Sequence, residues 1–155
     1  MKKRLNLQQI EQLITAAEMA RGNAYAPYSN YLVGAALLCD DGNIITGCNV
    51  ENASFGATNC AERNALFAAI GEGYRAFRAI GIVAGPENES YVRGGSYQGD
   101  LKDLDYPSPC GICRQALREF VSPKEFQVIL AKTVNDYRIL TLEQLLPESF
   151  GPEFL

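Results

Sequence analysis

The sequence reads Cys60-Ala61-Glu62 at one point and Pro109-Cys110-Gly111-Ile112-Cys113 at a later one, and the interpretation of the chain starts from these two stretches. A structural zinc site is closed by four protein ligands, whereas a catalytic site keeps three and leaves the fourth position to water. The chain contains no histidine, so three thiols have to serve. We therefore predict that Cys60, Cys110 and Cys113 hold one Zn²⁺ ion. Glu62 lies near enough to handle protons without being a ligand.

Zinc is inferred from the softness of thiolate ligands and from the open fourth position. A lone Cys-x-x-Cys is also found in redox motifs and in structural zinc half-sites. A redox motif is expected early in the chain, after a first strand–helix unit, whereas this one lies late and is accompanied by a third thiol. The presence of Pro109, Glu62 and two helix starts favours the catalytic zinc site over both.

Two arginines adjoin the predicted ligands. Three thiolates on Zn²⁺ leave a formal charge of −1, which weakens the metal as a Lewis acid unless it is offset. Arg63 follows Glu62 directly and is predicted to donate hydrogen bonds to the ligand sulfurs. Arg114, which follows Cys113, is a weaker candidate for the same role.

Around the two motifs, hydrophobic periodicity predicts alternating helices and strands, and each motif lies where a strand region passes into a helix. We predict an α/β fold, a three-layer α/β/α sandwich with a five-stranded mixed sheet. The last two strands are joined by a tight turn at Asn135-Asp136 and should be antiparallel. The predicted helices cover residues 6–21, 61–69, 111–120 and a short stretch from 142, and the strands cover 32–38, 44–48, 79–84, 126–130 and 137–140.

Residues 85–106 are polar and rich in glycine, without a clear period, and are expected to form a long loop. Loops of this length in compact domains are usually functional or disordered. The stretch is expected to cover the mouth of the site, pack at a subunit interface or hang loose.

Composition limits the classes of protein to which the chain can belong. With 155 residues, 47% of them hydrophobic and 21% charged, it is expected to be a single domain spanning 1–155. The net charge of −4 argues against a nucleic-acid partner, which would need a basic surface. No stretch approaches the roughly 20 apolar residues of a membrane span, so no membrane partner and a cytoplasmic location are expected. Cys39 and Cys48 are interpreted as small hydrophobic residues of paired strands, outside the site.

Taken together, the motifs resemble those of the small homotetrameric zinc-dependent cytidine deaminases, and the resemblance runs from about Leu7 to Phe154. The matching stretches are Ala26-Pro27-Tyr28-Ser29, Val33-Gly34-Ala35-Ala36-Leu37, Gly47-Cys48-Asn49-Val50-Glu51-Asn52-Ala53, Cys60-Ala61-Glu62-Arg63, Pro109-Cys110-Gly111-Ile112-Cys113-Arg114-Gln115 and Leu145-Leu146-Pro147.

The resemblance implies hydrolytic deamination of cytidine and deoxycytidine to uridine and deoxyuridine, as in pyrimidine salvage. Zinc lowers the pKa of its bound water toward neutrality, so that a zinc-bound hydroxide is available to attack C4 of the ring. In this scheme Glu62 is the proton shuttle: it takes the proton of the water and delivers it to N3, and it next carries a proton to the amino group, which leaves as ammonia. The antiparallel last strands and the acidic net charge both favour a free nucleoside over a polynucleotide.

The resemblance also implies the substrate contacts. Residues that match Asn49 and Glu51 hold the 3′-hydroxyl of the ribose in that family. Tyr31 occupies an aromatic position over the pyrimidine, and Ala61 offers backbone groups to the edge of the base. Phe150 matches an aromatic residue that reaches into the site of a neighbouring subunit, and a homotetramer is implied on the same basis.

Two other functions stay open at this point. One is a related deaminase for a different amino-pyrimidine, such as a cytosine-bearing nucleoside antibiotic; Asn49 and Glu51, which suit an unmodified ribose, count against it. The other is a zinc-binding interaction module without chemistry, which leaves Glu62 unexplained.

Overall fold

The computed structural model describes residues 4–86 and 105–155, in which all the predicted helices and strands are present. The strands mostly extend beyond their predicted ends, and residues 85 and 86 belong to a strand where a loop was expected. The rest of that expected loop, residues 87–104, lies outside the described residues. The elements are α1 Leu7–Arg21, β1 Tyr31–Cys39, β2 Ile44–Cys48, α2 Ala61–Gly71, β3 Phe77–Pro86, α3 Gly111–Arg118, β4 Gln127–Thr133, β5 Asp136–Thr141 and α4 Leu142–Leu145, with 3₁₀ turns at Phe55–Ala57 and Pro152–Phe154.

The five strands form one mixed sheet in the order β2-β1-β3-β4-β5. Strand β1 is antiparallel to both β2 and β3, β3 and β4 are parallel, and β4 and β5 are antiparallel as the tight turn predicted. Because β2 and β3 are both antiparallel to β1, they run in the same direction and their carboxyl ends lie at one edge of the sheet. The chain leaves β2 at this edge toward α2, which begins at the first cysteine motif.

Helices cover both faces of the sheet, which confirms the three-layer sandwich. Side chains of a strand point alternately to opposite faces, so each buried strand supplies two cores. Helix α1 packs on one face, and α2, α3 and α4 contribute to the core of the other. The α1 core contains Ile10, Leu13, Ile14, Ala17, Ala36, Leu38, Ala79, Val83, Ile129 and Ala131. The opposite core includes Ala65, Leu66, Leu37, Ile80, Ile82, Leu117, Val128, Leu130 and Leu142.

Two glycines let helices approach the sheet closely. A Cβ atom at Gly34 would lie 1.8 Å from the carbonyl oxygen of Ala17 in α1. A Cβ at Gly47 would lie 2.4 Å from the backbone nitrogen of Ala65 in α2. Glycine, which has no Cβ atom, therefore stands where the backbones of strand and helix meet. The close contact at Gly47 fixes the distance between α2 and β2.

Two helices are capped at their N-termini by side chains. The Asn6 side chain accepts a hydrogen bond from the backbone of Gln9, whose own side chain accepts one from the backbone of Asn6. Thr141 and Gln144 form the same reciprocal pair at the start of α4. Each pair satisfies two backbone N–H groups that the helix itself leaves unbonded.

In the part of the chain that the structure describes, no helix is both long enough and apolar enough to cross a membrane.

Candidate metal centre and catalytic cavity

The three predicted ligands converge at the starts of two neighbouring helices. Cys60 is the residue that caps the N-terminus of α2, Cys110 has the same position in α3, and Cys113 lies in the first turn of α3. Their sulfur atoms all lie within 4.8 Å of one another. The Sγ atoms of Cys60 and Cys110 are 3.9 Å apart. Residues fifty positions apart in sequence thus form one cluster.

This cluster fits a tetrahedral zinc ion. Zinc–sulfur bonds of about 2.3 Å at tetrahedral angles separate two sulfurs by about 3.8 Å. The observed spacing of 3.9 Å between Cys60 and Cys110 agrees with that value. Among the described residues the group contains three possible ligands, which leaves a fourth position for water or substrate.

The surroundings of the sulfurs favour the thiolate form of Cys60. A hydrogen bond with Cys113 lowers the pKa of Cys60 to about 5, and the Arg63 guanidinium adds to this effect. The same shared hydrogen bond, together with burial, raises the pKa of Cys113. Both helix N-termini also stabilise negative charge through the helix dipole. Thiolates are the form that binds metals, so the site suits a divalent soft cation.

Arg63 lies where its predicted role requires. Its Nη2 atom lies 3.6 Å from the sulfur of Cys60 and donates to it. Its Nε atom is buried and has no hydrogen-bond partner among the described residues. The guanidinium therefore offsets part of the negative charge of the thiolates.

Arg114, the weaker candidate, faces away from the sulfurs, so the suggestion that it shares this role was wrong. Its guanidinium donates to the carbonyl oxygens of Pro109, at 2.7 Å, and Leu145, and to the hydroxyl of Ser108 at 2.8 Å. These acceptors belong to the segment before Cys110 and to the end of α4. The arginine braces the approach to the ligand, because its side chain folds back along the chain.

A cavity of about 260 Å³ opens beside the metal group and is lined by two of its cysteines, Cys60 and Cys110. It contains Glu62, which is only 5% exposed although it carries a carboxyl group. Burial raises the pKa of Glu62 to about 7, and the neighbouring Cys60 adds to the rise. A carboxyl group with such a pKa can both accept and release a proton near neutral pH. The lining residues are Tyr31, Val33, Asn49, Thr58, Asn59, Cys60, Ala61, Glu62, Ile82, Ala84, Tyr106, Pro107, Ser108 and Cys110.

Two of the predicted substrate contacts, Tyr31 and Ala61, line this cavity. Tyr31 begins β1 and presents a half-exposed ring, and partial burial raises the pKa of its hydroxyl. Ala61 is fully buried as a residue and lines the cavity at the first position of α2. An aromatic ring and a backbone at a helix start thus lie on the same cavity as Glu62.

Asn49 also lines the cavity, but its side chain holds the neighbouring strand. Its Oδ1 atom accepts from the backbone of Val33 and its Nδ2 atom donates to the carbonyl oxygen of Tyr31, both at 2.8 Å. The second strand ends at Cys48, as predicted, one residue before Asn49. The amide takes over the pairing with β1 where the strand ladder stops.

Glu51 lies in an adjacent pocket and is absent from the lining of the main cavity. Its carboxylate accepts from the backbone N–H groups of Tyr28, at 2.8 Å, and Ser29, at 3.2 Å, and from the Ser29 hydroxyl. The hydroxyl bond and the backbone bonds lower its pKa. The adjacent pocket is lined by Glu51 together with Tyr28, Ser29, Phe55 and Thr58. Thr58 also lines the main cavity.

Phe150 lies on the surface, apart from the cavity of its own chain. Its ring stacks on that of Phe154 with centroids 5.5 Å apart. Its carbonyl oxygen accepts a 3.1 Å hydrogen bond from Gln115 of α3. The side chain is more than half exposed, so a contact with a second molecule is sterically open to it.

Several lining residues were not singled out from the sequence. Asn59 directly precedes Cys60, and Ser108 stands two residues before Cys110, so proximity to the motifs was an available signal. Tyr106 gave no such signal because it fell at the end of the stretch expected to be a loop. Thr58 lines both pockets, and no sequence signal near it indicated this.

Comparison with known proteins agrees with this geometry. Residues 7–130 match the family described as "Cytidine and deoxycytidylate deaminase zinc-binding region". A cytidine deaminase of Sporosarcina psychrophila is 40% identical over 146 residues, which cover 94% of each chain. One from Halalkalibacterium halodurans is 43% identical over 144 residues, covering 92% of this chain and 95% of that protein.

Solved structures show the same likeness. The crystal structure of a cytidine deaminase from Burkholderia pseudomallei superposes with a TM-score of 0.72 at 44% identity, covering 90% of this chain and 97% of that one. A cytidine deaminase from Mycobacterium tuberculosis gives a TM-score of 0.68 at 36% identity, with coverages of 90% and 95%.

Proposed function

The chain belongs to the family of cytidine and deoxycytidylate deaminases with a zinc-binding region, and on that premise we propose that it hydrolyses cytidine and deoxycytidine to uridine and deoxyuridine with release of ammonia. One observation carries the proposal: a buried carboxyl group lines the same small cavity as two of the three thiols of the metal group, Cys60 and Cys110. A zinc-binding module without chemistry would have no reason to bury Glu62 there, since an unpaired buried carboxylate destabilises the fold.

Cys60, Cys110 and Cys113 would hold the zinc ion, and Arg63 would offset the charge of the thiolates. When bound, zinc supplies a water molecule that is acidic enough to act as a nucleophile near neutral pH. Glu62 accepts one proton of the attacking water and delivers it to N3 of the pyrimidine, which makes C4 electrophilic, and this proton stays on N3 in the product. Glu62 then carries the second water proton to the amino group. Overall, one water is consumed, the C4–N bond breaks, and the amino group leaves as ammonia.

The cavity is large enough for one small molecule and narrow enough to exclude a nucleic-acid duplex. Its volume of about 260 Å³ lies near the lower end of the range for small-molecule sites, about 300–1,000 Å³. Tyr31 is positioned to stack on the pyrimidine from the cavity wall, and the backbone of Ala61 to meet the edge of the base.

Asn49 and Glu51 are proposed to bind the 3′-hydroxyl of the ribose. An amide nitrogen carries two N–H groups, so Asn49 keeps one donor after its bond to Tyr31. The Glu51 carboxylate has about four acceptor positions, of which Tyr28 and Ser29 occupy three. Thr58 joins the two pockets, so one ribose can extend from the main cavity toward Glu51.

A spectrophotometric assay tests the proposal directly. Purified protein with one zinc per chain is given cytidine, deoxycytidine, cytosine and CMP in parallel. Turnover of both nucleosides without turnover of cytosine or CMP is the expected result. If none of the four reacts, the proposed substrate is wrong and a modified amino-pyrimidine nucleoside takes its place.

We further propose that the chain forms a homotetramer of single-domain subunits, residues 1–155, in the cytoplasm. Exposed apolar side chains support self-association: Phe67 on α2 is 51% exposed and Ile112 on α3 is 65% exposed, and both line one groove between the two helices. Arg63 lines the same groove. Phe150, with its exposed ring, is proposed to reach the site of a neighbouring subunit.

A further inference from the structure

The segment that leads into Cys110 is held by one tyrosine whose contacts lie far away in the sequence. Tyr106 precedes Cys110 by four residues and lines the catalytic cavity together with Pro107, Ser108 and Cys110 itself. On its other side, the ring lies in a second pocket formed by the ends of β4 and β5. The tyrosine therefore stands in the wall between the site and the β4–β5 hairpin.

Charged side chains of the β4–β5 hairpin contact both the hydroxyl and the ring of Tyr106. The Tyr106 hydroxyl donates to Oδ1 of Asp136, the first residue of β5. The ammonium of Lys132 lies 4.5 Å from the ring centroid and the guanidinium of Arg138 lies 4.2 Å from it. Cations at these distances are attracted to the face of an aromatic ring.

The ring also packs against the core on the α2 and α3 side of the sheet. Hydrogen bonding, charge and apolar contact all fix Tyr106 in one position. At the other end of the same short segment, Arg114 holds Ser108 and Pro109. The chain between these two anchors has little freedom to move, and it ends at a metal ligand.

From this arrangement we infer that Tyr106 is a positioning residue, which sets the place of Cys110 and of the cavity wall through its bond to Asp136. The inference rests on the proposed function for its kinetic consequences. The β4–β5 hairpin lies outside the two cysteine motifs in sequence, yet through Tyr106 it helps to hold the site in place. Displacements of a reacting group by about 1 Å can lower rates by about a hundredfold, so a small shift is measurable.

The test uses full-length protein and three variants. Tyr106→Phe removes the hydroxyl but keeps the ring, and Asp136→Ala removes the acceptor. The double variant measures whether the two act as one unit. Two readouts are taken: kcat and KM for cytidine, and the rate at which a chelator removes the metal, with Co²⁺ in place of zinc so that the cobalt–thiolate absorption band reports the ligands.

We expect each single variant to lower kcat/KM about tenfold and to lose metal about tenfold faster, and the double variant to be no worse than either single one. Asp136→Asn keeps an acceptor oxygen and should restore most of both properties relative to Asp136→Ala. Tyr137→Phe is the matched control, because Tyr137 adjoins Asp136 but packs on the α1 face of the sheet. It should leave both readouts unchanged.

Additive effects in the double variant, or wild-type kinetics and metal retention in Tyr106→Phe, would overturn the inference. An equal effect of Tyr137→Phe would overturn it too, since the hairpin would then act through general stability. If the wild-type protein itself fails to turn over cytidine, the proposed function is at fault, and the metal-release rates and the cobalt spectra of the variants still decide the role of Tyr106.

Discussion

Glu62 is the residue on which the proposed chemistry depends. It is nearly fully buried and lies close to Cys60, a predicted zinc ligand. Its carboxyl group lines a cavity in which it could exchange protons with both a water molecule and a pyrimidine ring. The alternative is a purely structural role, in which the Glu62 carboxylate stabilises the N-terminus of α2 through the helix dipole. If the role of Glu62 is only structural, turnover does not depend on proton transfer by its carboxyl group, and this difference can be measured.

We therefore expect Glu62→Gln to bind one zinc per chain and to lose activity by about 10²- to 10⁴-fold, since glutamine has the shape of glutamate but cannot carry the proton. Metal content by atomic absorption and kcat for cytidine are measured on the same sample. Glu143→Gln, on the surface at the start of α4, is the control and should keep full activity. An active Glu62→Gln variant would show that another group shuttles the proton.

The three thiols differ in exposure, although they act together. Cys113 is buried, Cys60 is half-buried and Cys110 is exposed, so the last is the residue whose replacement disturbs packing least. We expect Cys110→Ala to lose zinc and to melt at a lower temperature, because metal binding and folding are coupled at such sites.

Zinc stoichiometry and thermal unfolding with and without added zinc test this expectation. Cys48→Ala, a half-buried thiol outside the metal group, is the control and should keep its zinc. Full zinc retention by Cys110→Ala would contradict the ligand assignment.

At the scale of the elements, the depth at which each helix sits on the sheet is set by glycines of the strands. Gly34 faces α1 and Gly47 faces α2, and both approach the helix backbone too closely for a side chain. Of these two helices, only α2 has a predicted ligand, Cys60, and Glu62 at its start. The two contacts are physically alike, yet they should have different consequences for function.

We expect both Gly34→Ala and Gly47→Ala to lower the free energy of unfolding by about 1–3 kcal/mol, the usual range for overpacking. Gly47→Ala should in addition weaken zinc retention and kcat, because pushing α2 outward displaces Cys60. Urea denaturation and steady-state kinetics distinguish the two. Gly56→Ala, where a Cβ meets nothing within 4 Å, is the control; equal activity of the Gly34 and Gly47 variants would separate helix depth from catalysis.

At the scale of the whole molecule, the exposed apolar groove between α2 and α3 is the surface most in need of a partner. Phe67 and Ile112 line it, and it lies directly behind the metal group because Ile112 stands between two of the ligands. Burying it against another copy would shield this apolar area from water.

We expect the wild-type protein to sediment as a tetramer and Phe67→Glu to sediment as a smaller species, since a carboxylate in an apolar interface carries a desolvation penalty. Analytical ultracentrifugation over a range of concentrations measures this. Met19→Glu places the same charge on the exposed side of α1, across the sheet, and should stay tetrameric. A monomeric wild-type protein would contradict the homotetramer.

The sequence by itself determined the order of helices and strands, the three thiols and Glu62, because these follow from local periodicity and from the spacing of residues within motifs. Tertiary structure alone decided which polar groups face one another. It turned Arg114 away from the sulfurs, placed Glu51 in the adjacent pocket and joined Tyr106 to Asp136. The physical reason is that a polar side chain bonds to whichever partner the packed chain brings near. Such partners come from distant segments, whose meeting no local pattern records.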